Sequence, residues 1–299
     1  MRVAAIDVGT NTARLLIADV VEGRVRDVDR RAVVVGLGSG VDRTGRLSED
    51  AIARTMTALS VYAAAIREHC AKSMRAVATS ASRDAENVGE FLDRAEAVLG
   101  ARPEVIGGPE EAELSFRGAT TGIPGPGPTL VIDPGGGSTE FVVGGVDPVA
   151  ATSVDIGSVR LTERLLPEHP ASADRVAAAA AEVAAMFSRV PIPGPPARAI
   201  GVAGTFTSLA AVHLELIAYD RDRVHGAVMT VEDFDALVEM LAGLTVEQTA
   251  AIPSLEPGRA PVLLGGAVVA REAVRRSGLG RVTVSESDLL DGIALGLAE

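Results

Sequence analysis

The sequence predicts a two-domain α/β protein, and three observations support this fold class. The chain has 299 residues, of which 47% are hydrophobic, so it can form one large or two medium domains with real cores. Strand-like apolar runs alternate with amphipathic helical patterns along the chain. A segment rich in proline and glycine, 122–128, separates two halves that follow the same plan.

The first half begins with a predicted hairpin and continues with alternating strands and helices. Further strands are predicted at 24–29, 32–36, 75–79 and 103–106. Helices are predicted from Ser48, which is a suitable N-cap, over 88–99, and from Pro109, with 80–85 as a turn.

The second half repeats this plan after the Pro/Gly segment. A second hairpin is followed by predicted strands at 150–156, 199–202 and 281–285. Helices are predicted from 159, at 176–187, 231–242 and 259–277, and at 288–297. The predicted domains are 1–124, joined by the C-terminal segment 288–299, and 125–287.

The repeated turn is the most informative feature of the sequence. In each half, a buried-strand run ends in an aspartate, Asp7 or Asp133, and a glycine-containing turn with hydroxyl residues follows. Glycine allows close backbone approach, so each turn can wrap a phosphate group. A neighbouring aspartate can hold Mg²⁺, which prefers carboxylate and phosphate oxygens. One such motif also fits an ordinary hairpin, but its repetition favours phosphate binding.

Composition narrows the class of partner. The net charge of −12 argues against nucleic-acid binding, so a polyanionic substrate would need local arginines, backbone dipoles or a metal ion. Aromatic residues make up only 3% of the chain, which disfavours base stacking. Cys70 is the single cysteine, so no intrachain disulfide can form. The sequence predicts a cytoplasmic protein that does not bind membranes.

Seven short motifs, in order and spanning nearly the whole chain, together resemble one family. They lie at 7–12, 78–87, 107–112, 133–140, 204–205, 224–226 and 285–286. The chain resembles the exopolyphosphatase/guanosine pentaphosphate phosphatase family, within the actin, hexokinase and Hsp70-like superfamily. It is similar to the short members that consist of two core domains.

This resemblance implies two ribonuclease-H-like domains with an active-site cleft between them. It also implies Mg²⁺-dependent release of terminal orthophosphate from inorganic polyphosphate, with water activated by Glu111. Hydrolysis of the 5′-terminal phosphate of pppGpp, in the stringent response, is an alternative on the same site. A nucleotide or alarmone sensor that binds ppGpp, ADP or ATP is a further alternative. A sugar kinase or actin-like ATPase is disfavoured, because the chain lacks their subdomain insertions. The family suggests a homodimer.

The resemblance and the chemistry of the turns together give the predicted site. Asp133 and Glu140 flank the second turn and would hold Mg²⁺ or Mn²⁺, with Asp7 as a weaker third ligand. An Asx hydrogen bond within the turn is the alternative for Asp133. The predicted phosphate-binding residues are Gly9, Thr10, Asn11, Thr12, Arg83, Gly135, Gly136, Gly137, Ser138, Gly204, Thr205 and His225.

Other features of the predicted site remain open from the sequence. Arg83 could instead form a surface ion pair with Asp84. Arg14 and Arg259 could extend a basic track for longer chains. Three positions depart from the family pattern, and at the first of them Thr10 replaces the commoner serine and keeps the hydroxyl. Pro134 stands where the family usually has Ile or Val, which removes one N–H donor, and Leu290 stands where the family has arginine.

Overall fold

A computed structural model describes all residues, 1–299, and the chain forms two compact units. The first unit contains Met1–Thr121 and Asp288–Glu299, and the second contains Gly122–Ser287. The first change of unit falls three residues before the predicted boundary at 124. None of the helices is both long and apolar enough to cross a membrane.

The first unit is built on a five-stranded sheet with the order β3-β2-β1-β4-β5. Its strands are β1 (Arg2–Val8), β2 (Thr12–Val21), β3 (Arg24–Val34), β4 (Ser73–Ala78) and β5 (Glu104–Val105). The first three strands pair antiparallel, whereas β4 and β5 continue the sheet in parallel with β1. Its helices are α1 (Val41–Thr44), α2 (Glu49–Glu68), α3 (Ser80–Asp84), α4 (Val88–Leu99), α5 (Gly108–Gly122) and α13 (Leu289–Gly296).

Two details of this unit test the sequence predictions. Ser48 is the N-cap of α2, as predicted, and its hydroxyl accepts a hydrogen bond from the Ala51 N–H at 3.3 Å. The two strands predicted at 24–29 and 32–36 are wrong, because β3 is one continuous strand. The charged residues between the two predicted segments lie on an edge strand, where their side chains can find partners or solvent.

The second unit is built on a six-stranded sheet with the order β10-β11-β9-β6-β7-β8. Its strands are β6 (Thr129–Pro134), β7 (Thr139–Gly144), β8 (Pro148–Val154), β9 (Arg198–Gly201), β10 (Val228–Thr230) and β11 (Arg281–Val284). Its helices are α6 (Ser158–Leu165), α7 (Ala173–Phe187), α8 (Ala203–His213), α9 (Arg221–Val224), α10 (Val231–Ala242), α11 (Val246–Ala250) and α12 (Ala260–Ser277).

The two sheets share one topology, which agrees with the repeat in the sequence. The order β3-β2-β1-β4-β5 in the first unit corresponds to β8-β7-β6-β9-β11 in the second. In both, an antiparallel three-stranded meander is followed by two parallel strands, and the second unit adds the short edge strand β10. The predicted α/β fold class is therefore confirmed.

Each face of the first sheet is covered by apolar residues. Successive side chains of a strand point to opposite faces, and β1 illustrates this. Its residues Ala4 and Ile6 belong to a cluster with Tyr62 of α2, whereas Val3 belongs to a second cluster with Leu289 of the C-terminal helix. The C-terminal residues thus complete the core of the first unit.

Two helices of the first unit approach each other through glycines. A Cβ at Gly118 of α5 would overlap the carbonyl oxygen of Asp288, and a Cβ at Gly292 of α13 would overlap the carbonyl oxygen of Leu114. Each helix therefore places its backbone where the other has no side chain. This close approach fixes α13 against α5, the helix that carries Glu111.

We expect Gly118→Ala to lower the free energy of unfolding by about 1–3 kcal/mol, because the added methyl group meets backbone that cannot move aside. Gly89→Ala in α4 is the matched control, since nothing lies within 4 Å of its Cβ position. That change should raise stability by up to about 1 kcal/mol through helix propensity. Urea unfolding followed by circular dichroism measures both, and equal effects would contradict the close approach.

Candidate active site

The candidate residues of the first unit share one edge of its sheet. Strands β1, β4 and β5 are parallel, so the segments that follow their carboxyl ends lie at the same edge. These segments are the turn at 9–11, helix α3 with Arg83, and helix α5 with Glu111. Ligands of α/β sheets commonly bind outside the carboxyl ends of parallel strands.

The first turn is fixed by hydrogen bonds on both of its sides. The N–H of Gly9 donates to the carbonyl of Thr12 at 3.0 Å, which closes the turn between β1 and β2. The Asn11 carbonyl accepts from the N–H groups of Val35 and Gly36, both at 2.9 Å. Thr10 is buried, and its hydroxyl accepts from the N–H of Ala81 at 3.2 Å. The hydroxyl at position 10 therefore positions α3 beside the turn.

The second turn repeats the closing bond of the first. The N–H of Gly135 donates to the carbonyl of Ser138 at 2.9 Å. The carbonyls of Gly135 and Gly136 accept from backbone N–H groups at the start of α6, and the Gly137 carbonyl accepts from the Arg160 side chain at 2.9 Å. The predicted phosphate-binding residues of this turn thus form one rigid loop held by α6.

The two hairpins differ at one decisive position in their register. Asp7 of β1 lies directly opposite Arg14 of β2, and Asp133 of β6 lies directly opposite Glu140 of β7. Residues opposite each other in an antiparallel pair have their side chains on the same face, with Cβ atoms about 5 Å apart. The first hairpin therefore pairs its aspartate with a cation, and the second pairs its aspartate with another carboxylate.

The Asp133 and Glu140 side chains are both buried, with exposed fractions of 6% and 1%. Oε1 of Glu140 accepts a hydrogen bond from the Ser153 hydroxyl at 2.7 Å, which fixes its direction. Like charges opposite each other are unfavourable unless a cation is shared between them. The chemistry of this donor set fits Mg²⁺, which is commonly bound by one or two carboxylates together with substrate phosphates.

No group of three or more His, Cys, Asp or Glu residues in the structure is arranged to hold a metal ion. Asp7, the predicted third ligand, lies in the other unit, and its Oδ2 accepts from Nε and Nη2 of Arg14, both at 2.8 Å. Arg14 therefore contacts this carboxylate through two nitrogen atoms, and the role of Asp7 as a third metal ligand stays a prediction.

Arg14 joins the first hairpin to the C-terminal helix, because it also donates to Asp288, the N-cap of α13. Burial raises the pKa of Asp7, and Arg14 offsets this only in part. Burial would raise the pKa of Asp288 as well, but Arg14, Arg30 and the Leu290 N–H outweigh it and hold this pKa below 3.8. Arg14 therefore stabilises two buried carboxylates and is not part of an open basic track.

Arg30 supplies a second cation at the start of α13. Its Nη2 lies 2.9 Å from Oδ2 of Asp291, and its Nε lies 2.8 Å from Asp27. Burial raises the pKa of Asp291, and the charge of Arg30 works against that rise. Leu290, at a position where the resemblance implies arginine, is 1% exposed and packs in the apolar cluster of the C-terminal helix. The cations at this helix start come from β2 and β3 instead.

The two adjacent glutamates of α5 face different arginines. Glu111 is 8% exposed, and its Oε2 accepts from Nη1 of Arg83 at 2.7 Å. Glu110 is exposed and pairs with Arg75 at 2.6 Å. The buried glutamate of the two is therefore Glu111, and its catalytic role stays a prediction. Arg83, for which a surface ion pair with Asp84 was the alternative, forms an ion pair with Glu111.

The third glycine segment, 204–205, has a structural role in the second unit. The Thr205 hydroxyl donates to the carbonyl of Pro134 at 2.8 Å, which ties the start of α8 to the end of β6. A Cβ at Gly204 would overlap the guanidinium group of Arg259, so this side chain lies against the first turn of α8. Pro134 stays in the strand pair opposite Thr139, and its missing N–H does not break the hairpin.

His225 lies in the second unit at the end of α9. Its Nδ1 accepts a hydrogen bond from the N–H of Glu286 at 3.1 Å, so this nitrogen carries no proton. The carboxylate of Glu286 in turn accepts from Arg221 at 2.8 Å. This histidine positions the 285–286 segment, and its direct contact with substrate stays a prediction.

Several residues that shape the site were not identified from the sequence. A Cβ at Gly157 would come within 2.6 Å of Gly136, so glycine is required where α6 meets the second turn. Gly38 packs closely against Thr10 in the first turn. Asp288, which bonds to Arg14, is the third residue of this kind. The sequence marks Gly38 and Gly157 only as loop residues, because the contacts that they permit come from distant segments.

We expect Asp288→Asn to lower the free energy of unfolding at pH 7 by about 2 kcal/mol, because it removes a buried charge-assisted bond to Arg14. Asparagine is an equally good N-cap, so the cap is kept. The pKa of Asp288 is lowered in the folded state. The ionised carboxylate therefore contributes fully to the free energy of unfolding above pH 3.8, and this contribution is lost as the pH falls further.

Urea unfolding of both proteins between pH 7 and pH 3 measures this difference. The gap between wild type and variant in the free energy of unfolding should narrow below about pH 4. Asp50→Asn, in the exposed first turn of α2, is the control and should show no such gap. A gap that is independent of pH would mean that the ionised form of Asp288 is not favoured by folding.

Comparisons with known proteins identify the family of this chain. The Ppx/GppA phosphatase family matches residues 16–299. Exopolyphosphatase 2 of Mycobacterium tuberculosis is 46% identical, over 99% of this chain and 98% of that protein. The crystal structure of an exopolyphosphatase-like protein superposes with a TM-score of 0.94 at 39% identity, covering 99% of this chain and 97% of that one.

A more distant similarity covers part of the chain. The guanosine-5′-triphosphate,3′-diphosphate pyrophosphatase of Vibrio cholerae is 37% identical over 54% of this chain and 33% of that protein. Together these similarities confirm the predicted family and the prediction that the protein is an enzyme. The chain belongs to the Ppx/GppA phosphatase family.

Proposed function

We propose that this protein is an exopolyphosphatase, which hydrolyses the terminal phosphoanhydride bond of inorganic polyphosphate and releases orthophosphate. The observation that carries this proposal is the 46% identity to exopolyphosphatase 2 of Mycobacterium tuberculosis over nearly the full length of both chains. The two rigid glycine turns and the buried carboxylates support the same chemistry.

Hydrolysis of a phosphoanhydride needs a positioned water molecule and compensation of the charge on the transferring phosphoryl group. Glu111 is the group that we assign to orient the water and accept its proton. It lies in the first turn of α5 at the carboxyl edge of the sheet, it is almost fully buried, and Arg83 holds its carboxylate in one direction. Glu110 is exposed, so it lacks the burial that distinguishes Glu111.

The glycine turns are proposed to hold the terminal phosphates through their backbone N–H groups. Asp133 and Glu140 would bind Mg²⁺, with phosphate oxygens of the substrate completing its coordination. When bound, the ion would neutralise charge on the phosphate chain. Because the overall charge is −12, this local compensation matters more here than in a basic protein.

A second candidate function is hydrolysis of the 5′-terminal phosphate of pppGpp. The similarity to the Vibrio cholerae pyrophosphatase favours it, although that similarity covers only 54% of this chain. Phosphate release measured on short polyphosphate, long polyphosphate and pppGpp separates the two. The homodimer and the cytoplasmic location stay predictions.

Glu111→Gln should lower kcat for polyphosphate by at least about 10²-fold, because the amide cannot accept the proton of the attacking water. KM should stay within about twofold, since phosphate binding does not involve this carboxylate. Glu110→Gln is the matched control, one residue away on the exposed side of the same helix, and should keep wild-type kcat. Full activity of the Glu111 variant would remove this residue from its role.

Asp133→Asn and Glu140→Gln should each raise the Mg²⁺ concentration needed for half-maximal activity by at least about tenfold, because each removes one anionic ligand. Asp147→Asn, in the exposed β7–β8 turn, provides the control. Titration calorimetry of Mg²⁺ into each protein with tripolyphosphate present measures binding apart from turnover. Activity that survives chelation of divalent ions would contradict a metal-dependent reaction.

A further inference from the structure

We infer that Arg83 is a positioning residue, which holds the Glu111 carboxylate in the direction that hydrolysis requires. This role differs from the phosphate contact that the family resemblance implies for Arg83. The inference rests on the proposed function, and it concerns how the catalytic glutamate is kept in place. It comes from four features of the structure, namely a shared hydrogen-bond donor, a fixed carbonyl, the attachment of the Arg83 backbone to the sheet and the contrast with a neighbouring ion pair.

The shared donor is Nη1 of Arg83. This nitrogen lies 2.7 Å from Oε2 of Glu111 and 3.0 Å from the carbonyl oxygen of Ile106. Both distances are those of good hydrogen bonds, and the bond to a carboxylate is charge-assisted. One end of the guanidinium group therefore joins a main-chain carbonyl to the carboxylate. The carboxylate is tied to the backbone through one rigid, planar group.

The carbonyl that anchors Arg83 is itself fixed. Ile106 is 2% exposed, and its N–H donates to the carbonyl of Ala78, the last residue of β4, at 3.1 Å. The N–H of Glu111 donates to the carbonyl of Gly107 at 3.0 Å. The segment from Ile106 to Glu111 is thus bonded at its start to the sheet and at its end to its own first turn.

The backbone of Arg83 is attached to the same part of the sheet. Its N–H donates to the carbonyl of Thr79 at 3.2 Å, and the N–H of Thr79 donates to the carbonyl of Val8 in β1 at 3.3 Å. Arg83 and Glu111 therefore leave the sheet from neighbouring strand ends, β4 and β5, and meet again through their side chains. These hydrogen bonds connect the two side chains to each other and to the sheet, so each side chain has little conformational freedom.

The neighbouring ion pair of Arg75 with Glu110 shows what these connections to the sheet add. Arg75 and Glu110 also form an ion pair, at 2.6 Å, but the Glu110 side chain is 48% exposed, compared with 11% for Glu111. Water screens an exposed pair and leaves its side chains mobile, so such pairs contribute little. A buried pair holds its geometry. A carboxylate that must orient one water molecule benefits from that precision, since a displacement of about 1 Å can cost about 10²-fold in rate.

The first experiment compares Arg83→Gln, Arg83→Lys and Arg75→Gln in steady-state hydrolysis of polyphosphate. Arg83→Gln should lower kcat by about 10²-fold with KM within about twofold, because the carboxylate loses its anchor but the phosphate contacts remain. Arg83→Lys should recover part of this loss, since its ammonium group keeps the charge without the planar fork. Arg75→Gln should match wild type. Thermal unfolding of each variant confirms that it is folded.

The second experiment asks whether Arg83 acts through Glu111. In a Glu111→Gln background, adding Arg83→Gln should lower kcat by less than about twofold further, because residues that act as a unit are not additive. Calorimetry with tripolyphosphate should give the same Kd for Glu111→Gln and for the double variant. This binding measurement does not depend on turnover.

The outcomes separate the possible roles. A raised KM with unchanged kcat for Arg83→Gln, or weaker tripolyphosphate binding in the double variant, would identify Arg83 as a phosphate ligand and overturn the inference. Unchanged kcat and KM in Arg83→Gln, with active wild type, would also overturn it while leaving the proposed function intact. A wild type that hydrolyses neither polyphosphate nor pppGpp would overturn both.

Discussion

The antiparallel register of the two hairpins is the constraint on which the rest of the site depends. It sets Asp7 opposite Arg14 and Asp133 opposite Glu140, on the same face of each strand pair. The two hairpins therefore carry different charges at the same position. In the first hairpin an arginine of the protein lies opposite the aspartate, and in the second two buried carboxylates lie opposite each other and favour a shared cation. A shift of either register by one residue would turn these side chains to the opposite face.

Ion pairs attach the C-terminal helix to strands β2 and β3 of the first unit. Asp288 caps α13 and pairs with Arg14, and Arg30 pairs with Asp291 one turn later. Because breaking a buried ion pair is costly, the end of the chain is held to its beginning by charge as well as by apolar packing. The glycine contact between α5 and α13 extends this attachment to the helix that carries Glu111.

The sequence predicts the periodic elements well, because helices such as α4 and α10 have clear apolar patterns and strands β6, β7 and β9 end at a proline or a glycine. It also selects Glu111, Asp133 and Glu140 through the family motifs. It does not predict the partners of charged residues. The bonds from Arg14 to Asp288 and from Arg83 to Ile106 join distant segments, and side-chain direction within a strand pair depends on register. Close approaches at Gly38 and Gly157 are hidden for the same reason.

The arginines near the candidate residues bear on how an acidic protein can act on a polyanion. Arg14 is shared between two buried aspartates, and Arg83 is bonded to Glu111. Each of these cations is therefore balanced within the protein, and neither adds net positive charge to attract substrate. Under the proposed function, oriented backbone N–H groups in the glycine turns and a cation bound by Asp133 and Glu140 would supply attraction for the substrate. The arrangement of charges thus gives an electrostatic reason, independent of family membership, for the proposed metal requirement.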